Sequence, residues 1–567
     1  MRRLFQAFLI FCLAYQPLFA QKDIPKWADK AKRAVFTIIT YDKDNNILHT
    51  GNGFFISDDG IACSDYSLFV GAEKAVVINS EEKQLAVKAI MGVDDMYDVI
   101  KFQVEIDKKV AHLQLASKAS AKDEAVYLLP YSTKKENKAI SGTVEEASPI
   151  SGGYNYYTLK LAYSDKNVSC PVLSSNGEVI GLLQKNSSDE LSQAYAVDAA
   201  FVKNLSLNAL SLNNSILNKI GIRKALPDTE EQALVSLFLR SGNLSNEEYL
   251  ELLNEFLSQY PNSSEGYLRR ASHYVFNFKD AQSFAKAEED IKKAEKLAES
   301  KDNVYYNFAK LIYSNQIDQS GLTYKDWNYE KALAENGKAL AVDSLPVYIQ
   351  QRGDIYFAMQ DYANAYANYE KVNHSNLVSP ASYYSTAKAK ELLNADKAEI
   401  IALLDSAVAL FPTPLPLDAA PYLLERAQMK MDKGMYREAV TDYDSYYDIV
   451  NGQVNDLFYY YREQANYHAK DFKRALEDIQ KAIGLKPQDV TYLAELGAVN
   501  LRIARYEDAI QNLQDALAIN PEFAACYRLI GFCQIQLGKK EEACQNLSKA
   551  KELGDEAVDV LIERNCK

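Results

Sequence analysis

The chain has 567 residues, too many for a single hydrophobic core, and this length indicates roughly three or four domain-sized units. With 48% hydrophobic and 25% charged residues, the composition is that of a globular protein and does not indicate disorder. The formal net charge of −14 would repel a phosphate backbone, so we expect no nucleic-acid partner.

Residues 1–20 are predicted to be a secretory signal peptide. Arg2 and Arg3 precede an apolar stretch over residues 4–14, and the small residue Ala20 stands at the predicted cleavage point. The apolar stretch is too short to be a membrane span, and no later segment approaches the required length. We therefore expect an exported chain without a transmembrane segment after cleavage.

Residues 21–204 are predicted to form an all-β domain. Short runs of β-branched and aromatic residues occur at 34–41, 53–57, 75–79, 99–104, 125–129, 156–163 and 178–184. Turn residues separate these runs, for example Asp58, Asp59 and Gly60. Many short strands with such turns are typical of a sandwich or a barrel.

Several segments of this domain resemble trypsin-like serine proteases of the HtrA type. Residues 51–60 resemble the family's G-S-G-F-x-I pattern, and residues 175–181 and 195–198 resemble its final strands. The resemblance covers nearly the whole of residues 30–205, and the order and spacing of the segments support it. It implies a double-barrel fold with a cleft that receives extended peptides.

The resemblance also assigns three catalytic positions, and two of them hold the wrong residue. Ser67 stands where the family has its histidine, Asp98 matches the catalytic aspartate, and Val168 stands in the place of the nucleophilic serine. Valine cannot attack a carbonyl carbon, and serine cannot act as a base near neutral pH. We therefore expect a pseudoprotease with no cofactor and no metal site.

The loop that would form the oxyanion hole is changed as well. Lys166, Ser169 and Cys170 replace family glycines, so we expect this loop to follow another path. The alternative is a shifted nucleophile, Ser169 or Cys170, although neither has a histidine partner by motif. We expect His49 and His112 to be ordinary polar side chains.

Residues 205–226 are rich in Asn, Ser and Leu and are predicted to be a linker or bridging segment. From residue 227 onward the period is helical, with small residues that recur at a spacing of 34 positions. The recurring residues are Ala475, Ala509 and Ala543, then Ala482, Ala516 and Ala550, and finally Pro487 and Pro521.

One 34-residue unit resembles a tetratricopeptide repeat (TPR) at every family position that we compared. These positions hold Leu493, Leu496, Gly497, Tyr506, Ala509, Leu513, Ala516 and Pro521. The resemblance implies an all-α superhelical solenoid of about eight repeats over residues 227–554, with a capping helix at 555–567. We thus expect a multidomain chain, an all-β double-barrel trypsin-like domain followed by this solenoid.

The concave groove of such an array receives peptides or helices. The family's clamp for C-terminal carboxylates is absent, because its positions hold Tyr460, Gln464, Glu495, Ala525 and Leu529. The groove would instead present other aromatic and polar groups, namely Tyr460, Gln464, Tyr467, His468, Arg502 and Arg528. The competing interpretation is that the tyrosines pack between helices and that the arginines form ion pairs with neighbouring acids.

The cysteines suggest disulfides but no zinc site, because no pair has C-x-x-C spacing. On the trypsin-like resemblance, Cys63 and Cys170 both fall near the former active centre, either as a disulfide or as two buried thiols. Similar exported repeat arrays often end in a helix with a near-terminal cysteine, and this resemblance implies a Cys544–Cys566 disulfide that leaves Cys526 buried and free.

Together these features favour a protein-binding adaptor in the periplasm or on the periplasmic face of the outer membrane, within a cell-envelope complex. The domain order and the 39 tyrosines resemble exported proteins of Bacteroidetes-type bacteria. One alternative is an active trypsin-like endopeptidase that uses the repeats to recruit substrate. Another is a structural role, in which the N-terminal domain merely caps the solenoid.

Overall fold

The computed structural model describes residues 25–133, 139–186, 193–318 and 321–566. The predicted signal peptide at 1–20 lies outside the described residues. The chain divides into two compact units, Met1–His273 and Tyr274–Lys567, and each is described by itself. Among the described helices, none is both long enough and apolar enough to cross a bilayer.

Six antiparallel strands close into the first barrel, in the order β1-β2-β3-β6-β5-β4. The strands are β1 Val35–Tyr41, β2 Ile47–Phe55, β3 Ile61–Ser64, β4 Lys74–Ile78, β5 Gln84–Asp94 and β6 Val99–Val104. Alternate side chains point inward, and the rings of Phe36, Phe55 and Phe102 are almost fully enclosed.

Six further strands close into a second barrel, in the order β10-β11-β12-β9-β8-β7. The strands are β7 Ala125–Leu128, β8 Ile140–Ile150, β9 Tyr154–Lys160, β10 Pro171–Ser174, β11 Val179–Gln184 and β12 Gln193–Asp198. Read around the ring, both barrels have the same strand order. The expected double-barrel architecture is confirmed.

Short helices flank the barrels, and three longer ones complete the first unit. They are α1 Ala28–Ala31, α2 Ala199–Asn204, α3 Ser215–Asn218, α4 Glu230–Arg240, α5 Asn246–Gln259 and α6 Ser264–His273.

The segment 205–226, which the sequence predicts to be a linker or bridging segment, packs against the first barrel. Leu207, Leu217, Ile220 and Ile222 are buried in the same apolar cluster as Phe36 and Phe102. The backbone follows the barrel too, because the N–H groups of residues 71 and 90 donate to the carbonyl groups of residues 219 and 223. The polar composition of the segment hid these four apolar residues, whose spacing follows neither a strand nor a helix period.

The second unit is all-α, as expected. Its helices are α7 Ala281–Leu297, α8 Asp302–Ile317, α9 Tyr329–Val342, α10 Pro346–Ala358, α11 Tyr362–Asn373, α12 Pro380–Leu392, α13 Lys397–Ala409, α14 Ala420–Asp432, α15 Tyr436–Ile449, α16 Asp456–His468, α17 Phe472–Leu485, α18 Val490–Arg502, α19 Tyr506–Ile519, α20 Ala524–Gln536, α21 Lys540–Glu552 and α22 Asp559–Asn565. Consecutive helices pair from α8 with α9 through α20 with α21, which makes seven hairpins in the described part of this unit.

Small residues allow the two helices of a hairpin to approach closely. A Cβ atom placed on Gly497 would lie 2.6 Å from the Cγ of Leu513, and one on Gly531 would lie 2.8 Å from the Cγ of Leu547. Both glycines and both leucines are separated by the 34-residue spacing seen in the sequence. The spacing thus recurs because each hairpin repeats one helix crossing.

A disulfide ties the last helix to the hairpin before it. Cys544 on α21 is bonded to Cys566, which directly follows α22, and their Cα atoms are 5.6 Å apart. Cys566 also packs near Leu547 and Val558 in the terminal apolar cluster. Such a bond restrains α22 against the hairpin formed by α20 and α21.

The close crossing at Gly497 predicts opposite effects for two glycine substitutions. Gly497→Ala should lower the free energy of unfolding by about 1–3 kcal/mol, because the new methyl group collides with Leu513. Gly484→Ala on α17 is the matched control, since its Cβ would meet no atom within 4 Å, and it should raise stability by up to about 1 kcal/mol. Chemical denaturation followed by circular dichroism measures both, and equal effects would contradict the crossing.

The disulfide predicts locally faster amide exchange in Cys566→Ser. We expect the free energy of local opening over residues 540–565 to fall by about 2–4 kcal/mol, while α16 and α17 exchange as before. Hydrogen–deuterium exchange with mass spectrometry measures this, and unchanged protection of α21 and α22 would show that the bond does not restrain the end.

Candidate functional site

The resemblance assigns three residues to a triad. Two of them, Ser67 and Asp98, are in direct contact at the centre between the barrels. Ser67 lies in a short 3₁₀ turn that follows β3, and Asp98 immediately precedes β6. The Ser67 N–H donates to Asp98 Oδ1 at 2.6 Å, and the Ser67 hydroxyl donates to Oδ2 at 2.9 Å. The carboxylate therefore holds a hydroxyl and an amide where a triad aspartate would hold an imidazole.

The loop before β10 is folded into a tight turn. Residues Asp165–Asn167 form a 3₁₀ turn that Ser164 caps, and the Val168 N–H donates to the Asp165 carbonyl oxygen at 3.3 Å. The Asn52 amide of β2 donates to the carbonyl oxygens of Lys166 and Val168, both at 2.9 Å. The Val168 amide, which the resemblance places among the oxyanion-hole donors, is thus engaged within the turn.

Val168 is half-buried and packs against the core of the second barrel. Ser169, the next residue, is only 1% exposed and has a left-handed backbone with φ of 65°. Its N–H donates to the Leu183 carbonyl oxygen, and its hydroxyl is hydrogen-bonded to Asp65. The serine closest to the nucleophile position therefore lies inside the protein.

Cys63 and Cys170 are two buried thiols and not a disulfide, which is the second of the two expected alternatives. Burial raises the pKa of Cys170 to about 12 and raises the pKa of Cys63 well above its usual value. Both cysteines are therefore thiols at neutral pH, whereas the nucleophilic form is the thiolate. His49 is exposed on β2, and His112 lies 3.0 Å from the amide of Gln114.

A cavity of about 380 Å³ opens at this centre. Its wall combines residues of the first barrel with the tight turn, and the lining includes Thr37, Thr50, Gly51, Asn52, Asp65, Leu68, Asp165, Lys166, Val168, Ser169 and Lys185. Asp65 is the residue here that the sequence analysis missed. It stands between Ser64 and Tyr66 at the end of a buried strand, so an acid beside an apolar run was the available signal.

Asp65 is 5% exposed, and its Oδ1 has no hydrogen-bond partner among the described residues. Burial, together with the nearby charge of Asp98, raises the pKa of Asp65 to about 8. The empty cavity therefore contains a carboxylic acid that is mostly protonated at neutral pH.

The predicted groove residues lie on three helices and contact mainly one another and their neighbours. Arg502 donates from Nε to the Tyr467 hydroxyl at 2.8 Å, and the His468 ring stacks on Tyr436 at 4.8 Å. Arg528, which lies on α20, forms an ion pair with Asp555 at 2.6 Å. The Arg528–Asp555 pair and the ring contact agree with the competing interpretation, whereas Arg502 contacts a tyrosine hydroxyl and not an acid.

Tyr460 and Gln464 adjoin two neighbouring acids, Glu463 and Glu495. The Tyr460 ring lies 5.4 Å from that of Tyr492, and Gln464 donates to Glu463 Oε2 at 2.7 Å. Glu463 is fully buried, and its Oε1 has no partner within the described ranges. Burial, followed by the charge of Glu495, raises the pKa of Glu463 to about 8.

The position of Glu463 explains why it is buried. It lies 34 residues before Gly497, so it occupies the site of the close helix crossing that a glycine fills in the next two hairpins. A carboxyl group there faces the partner helix, with Ile479 at the place that Leu513 holds one repeat later. The arrangement costs stability whenever the carboxyl group is ionised.

No protein-family model matches the chain, and no curated protein matches it. Among solved structures, the chain is similar to the Rv3671c protease from M. tuberculosis in its active form, with 19% identity over 35% of this chain and 84% of that chain and a TM-score of 0.28. It is also similar to a serine-to-alanine mutant of Rv3671c in its inactive form, with 19% identity, 31% and 85% coverage and a TM-score of 0.26. The fold class rests on the strand order of the two barrels.

Glu463 predicts a pH dependence of stability. Its folded-state pKa is raised above the value of 4.5 expected when exposed, so the folded chain loses stability as the pH rises from about 4.5 to about 8. Glu463→Gln cannot ionise and should be more stable than the wild type at pH 8, by an amount on the order of 3 kcal/mol, with little difference at pH 4.5.

The matched control is Glu477→Gln, which changes an exposed glutamate on the partner helix α17. Urea denaturation at several pH values measures all three proteins. Parallel pH profiles for the wild type and Glu463→Gln would contradict the assignment.

Proposed function

We propose that this chain is an exported protein-binding adaptor, in which a catalytically inactive trypsin-like domain and a TPR array both bind protein. The observation that carries the proposal is the Ser67–Asp98 pair beside Val168. Ser67 donates hydrogen bonds from its hydroxyl and from its amide N–H to Asp98. A serine side chain has no basic nitrogen to take a proton from a nucleophile, and a valine side chain has no nucleophilic hydroxyl.

The tight turn supports the same conclusion independently. Stabilisation of a tetrahedral intermediate requires free amide donors that point at the substrate oxygen. The Val168 N–H instead donates within its own turn, and Asn52 holds the carbonyl oxygens of Lys166 and Val168 toward the first barrel. The Val168 N–H is therefore not free to stabilise a tetrahedral intermediate.

The alternative, an active endopeptidase with a shifted nucleophile, needs Ser169 or Cys170 to reach a substrate. Ser169 is 1% exposed, and its hydroxyl is hydrogen-bonded to the Asp65 carboxyl group. The raised pKa of Asp65 keeps this acid protonated at neutral pH, so it is a poor base. Cys170 is fully buried as a thiol. We therefore favour binding over cleavage.

The helical hairpins suit a role in protein contact. The glycine crossings at 34-residue spacing match the TPR pattern, and arrays of this kind offer extended surfaces to peptides and helices. The predicted signal peptide and the terminal disulfide fit an oxidising compartment, so we place the adaptor in the periplasm or on the periplasmic face of the outer membrane.

A fluorophosphonate probe tests the absence of catalysis. We expect no labelling of the purified full chain, because no activated hydroxyl is available, while an active trypsin-like enzyme at the same concentration is labelled as the positive control. Labelling that disappears in Ser169→Ala or Ser67→Ala would overturn the proposal.

Binding is tested by photo-crosslinking in cells. A crosslinking residue at position 185 on the cavity rim, or at the exposed position 461 on α16, should capture discrete protein partners. The same residue at the exposed position 43 in the β1–β2 turn is the control and should capture none. Equal capture at all three positions would contradict a specific binding surface.

A further inference from the structure

The cavity between the tight turn and β2 has the size of a binding site. Its volume of about 380 Å³ falls within the usual range for small-ligand pockets, roughly 300–1,000 Å³. Asp65 and Ser169 line its buried part, and Asp165, Lys166 and Lys185 lie at its exposed rim. The chemistry of the buried part decides what the cavity accepts, because exposed rim charges are screened by solvent.

The buried part contains an unsatisfied hydrogen-bond acceptor. Asp65 follows β3 in an extended conformation that carries its side chain inside the protein, where Ser169 supplies one hydrogen bond. Oδ1 has no partner among the described residues, although a buried polar atom without a partner costs about 1–3 kcal/mol. A ligand that brings a donor to this oxygen would recover that free energy.

The charges around Asp65 favour a donor that is positive. Asp98 lies close enough to raise the pKa of Asp65, and both of its own oxygens are occupied by Ser67. The Asn52 amide is occupied by the tight turn, and the neighbouring Cys63 and Cys170 are thiols. A positively charged group would therefore be favoured next to these two acids, in a poorly hydrated part of the cavity.

We infer that this cavity binds a primary ammonium group, with the Asp65 carboxylate as its counterion. The group comes from a lysine side chain or from the N-terminus of a peptide, a choice of source that rests on the proposed adaptor function. On binding, the ligand keeps its three N–H protons, and the only bond that breaks is the O–H bond of the Asp65 carboxyl group, whose proton goes to the buffer.

The test uses the full chain and short peptides that differ in one charge. Acetyl-Gly-Lys-Gly-amide is compared with acetyl-Gly-norleucine-Gly-amide by isothermal titration calorimetry, and an unacetylated norleucine peptide supplies an α-ammonium group instead. We expect an ammonium-bearing peptide to bind about tenfold more tightly than the acetylated norleucine peptide. The peptide that shows this preference identifies the source.

Two further measurements separate Asp65 from the rest of the cavity. Asp65→Asn should abolish the preference, whereas Asp44→Asn in the exposed β1–β2 turn, outside the cavity lining, should keep it. Before the ligand binds, Asp65 is protonated, so binding to the wild type at pH 7 should release about one proton. The release is measured as a dependence of the binding heat on the ionisation enthalpy of the buffer. This second readout needs no variant and remains decisive if Asp65→Asn does not fold.

Equal affinity of the wild type for all three peptides, or an unchanged preference in Asp65→Asn, would overturn the inference. Failure of the inference is distinguishable from failure of the proposed function. Partner capture at position 185 without any ammonium preference leaves the adaptor and removes the ammonium site. Ammonium binding without partner capture at either crosslinking position leaves the site and removes the adaptor.

Discussion

The two hydrogen bonds from Ser67 to Asp98 organise the centre between the barrels. They join the turn after β3 to the start of β6, and they satisfy a carboxylate with groups of the chain itself. Carboxylate oxygens are good acceptors for such donors, so the pair fixes the position of the Asp98 side chain. Asp98 also adds to the burial that raises the pKa of Asp65, two residues before Ser67, so the same carboxyl group contacts the turn and influences the cavity.

Asn52 has a comparable role on the opposite wall. Its side chain reaches from β2 to two carbonyl oxygens of the second barrel's loop, and the loop closes into a 3₁₀ turn with its own amide hydrogen bonds. Several backbone groups of this loop are thereby paired within the protein. The cavity beside it is lined by Asp65, whose Oδ1 has no hydrogen-bond partner among the described residues.

Much of the architecture follows from local patterns in the sequence. The run of β-branched and aromatic residues at 34–41 predicts β1, and the 34-residue spacing predicts the contact of Gly497 with Leu513, because both depend on residues close in the chain or on an exact repeat. The packing of Leu207 and Ile220 against the first barrel did not follow, since that contact joins distant segments. The sequence places Asp65 beside an apolar run and Glu463 at a repeat position 34 residues before Gly497, but the burial of both side chains also depends on residues distant in the chain.

Asp65 and Glu463 show that a buried acid with a raised pKa can have different roles in different surroundings. Each is a buried acid with an orphaned oxygen and a pKa raised to about 8. Glu463 stands where neighbouring hairpins have glycine, at a helix crossing with no space for a ligand, so its carboxyl group is a cost to stability. Asp65 instead lines a cavity of about 380 Å³. The cavity, and not the shifted pKa, is therefore what makes Asp65 a binding group.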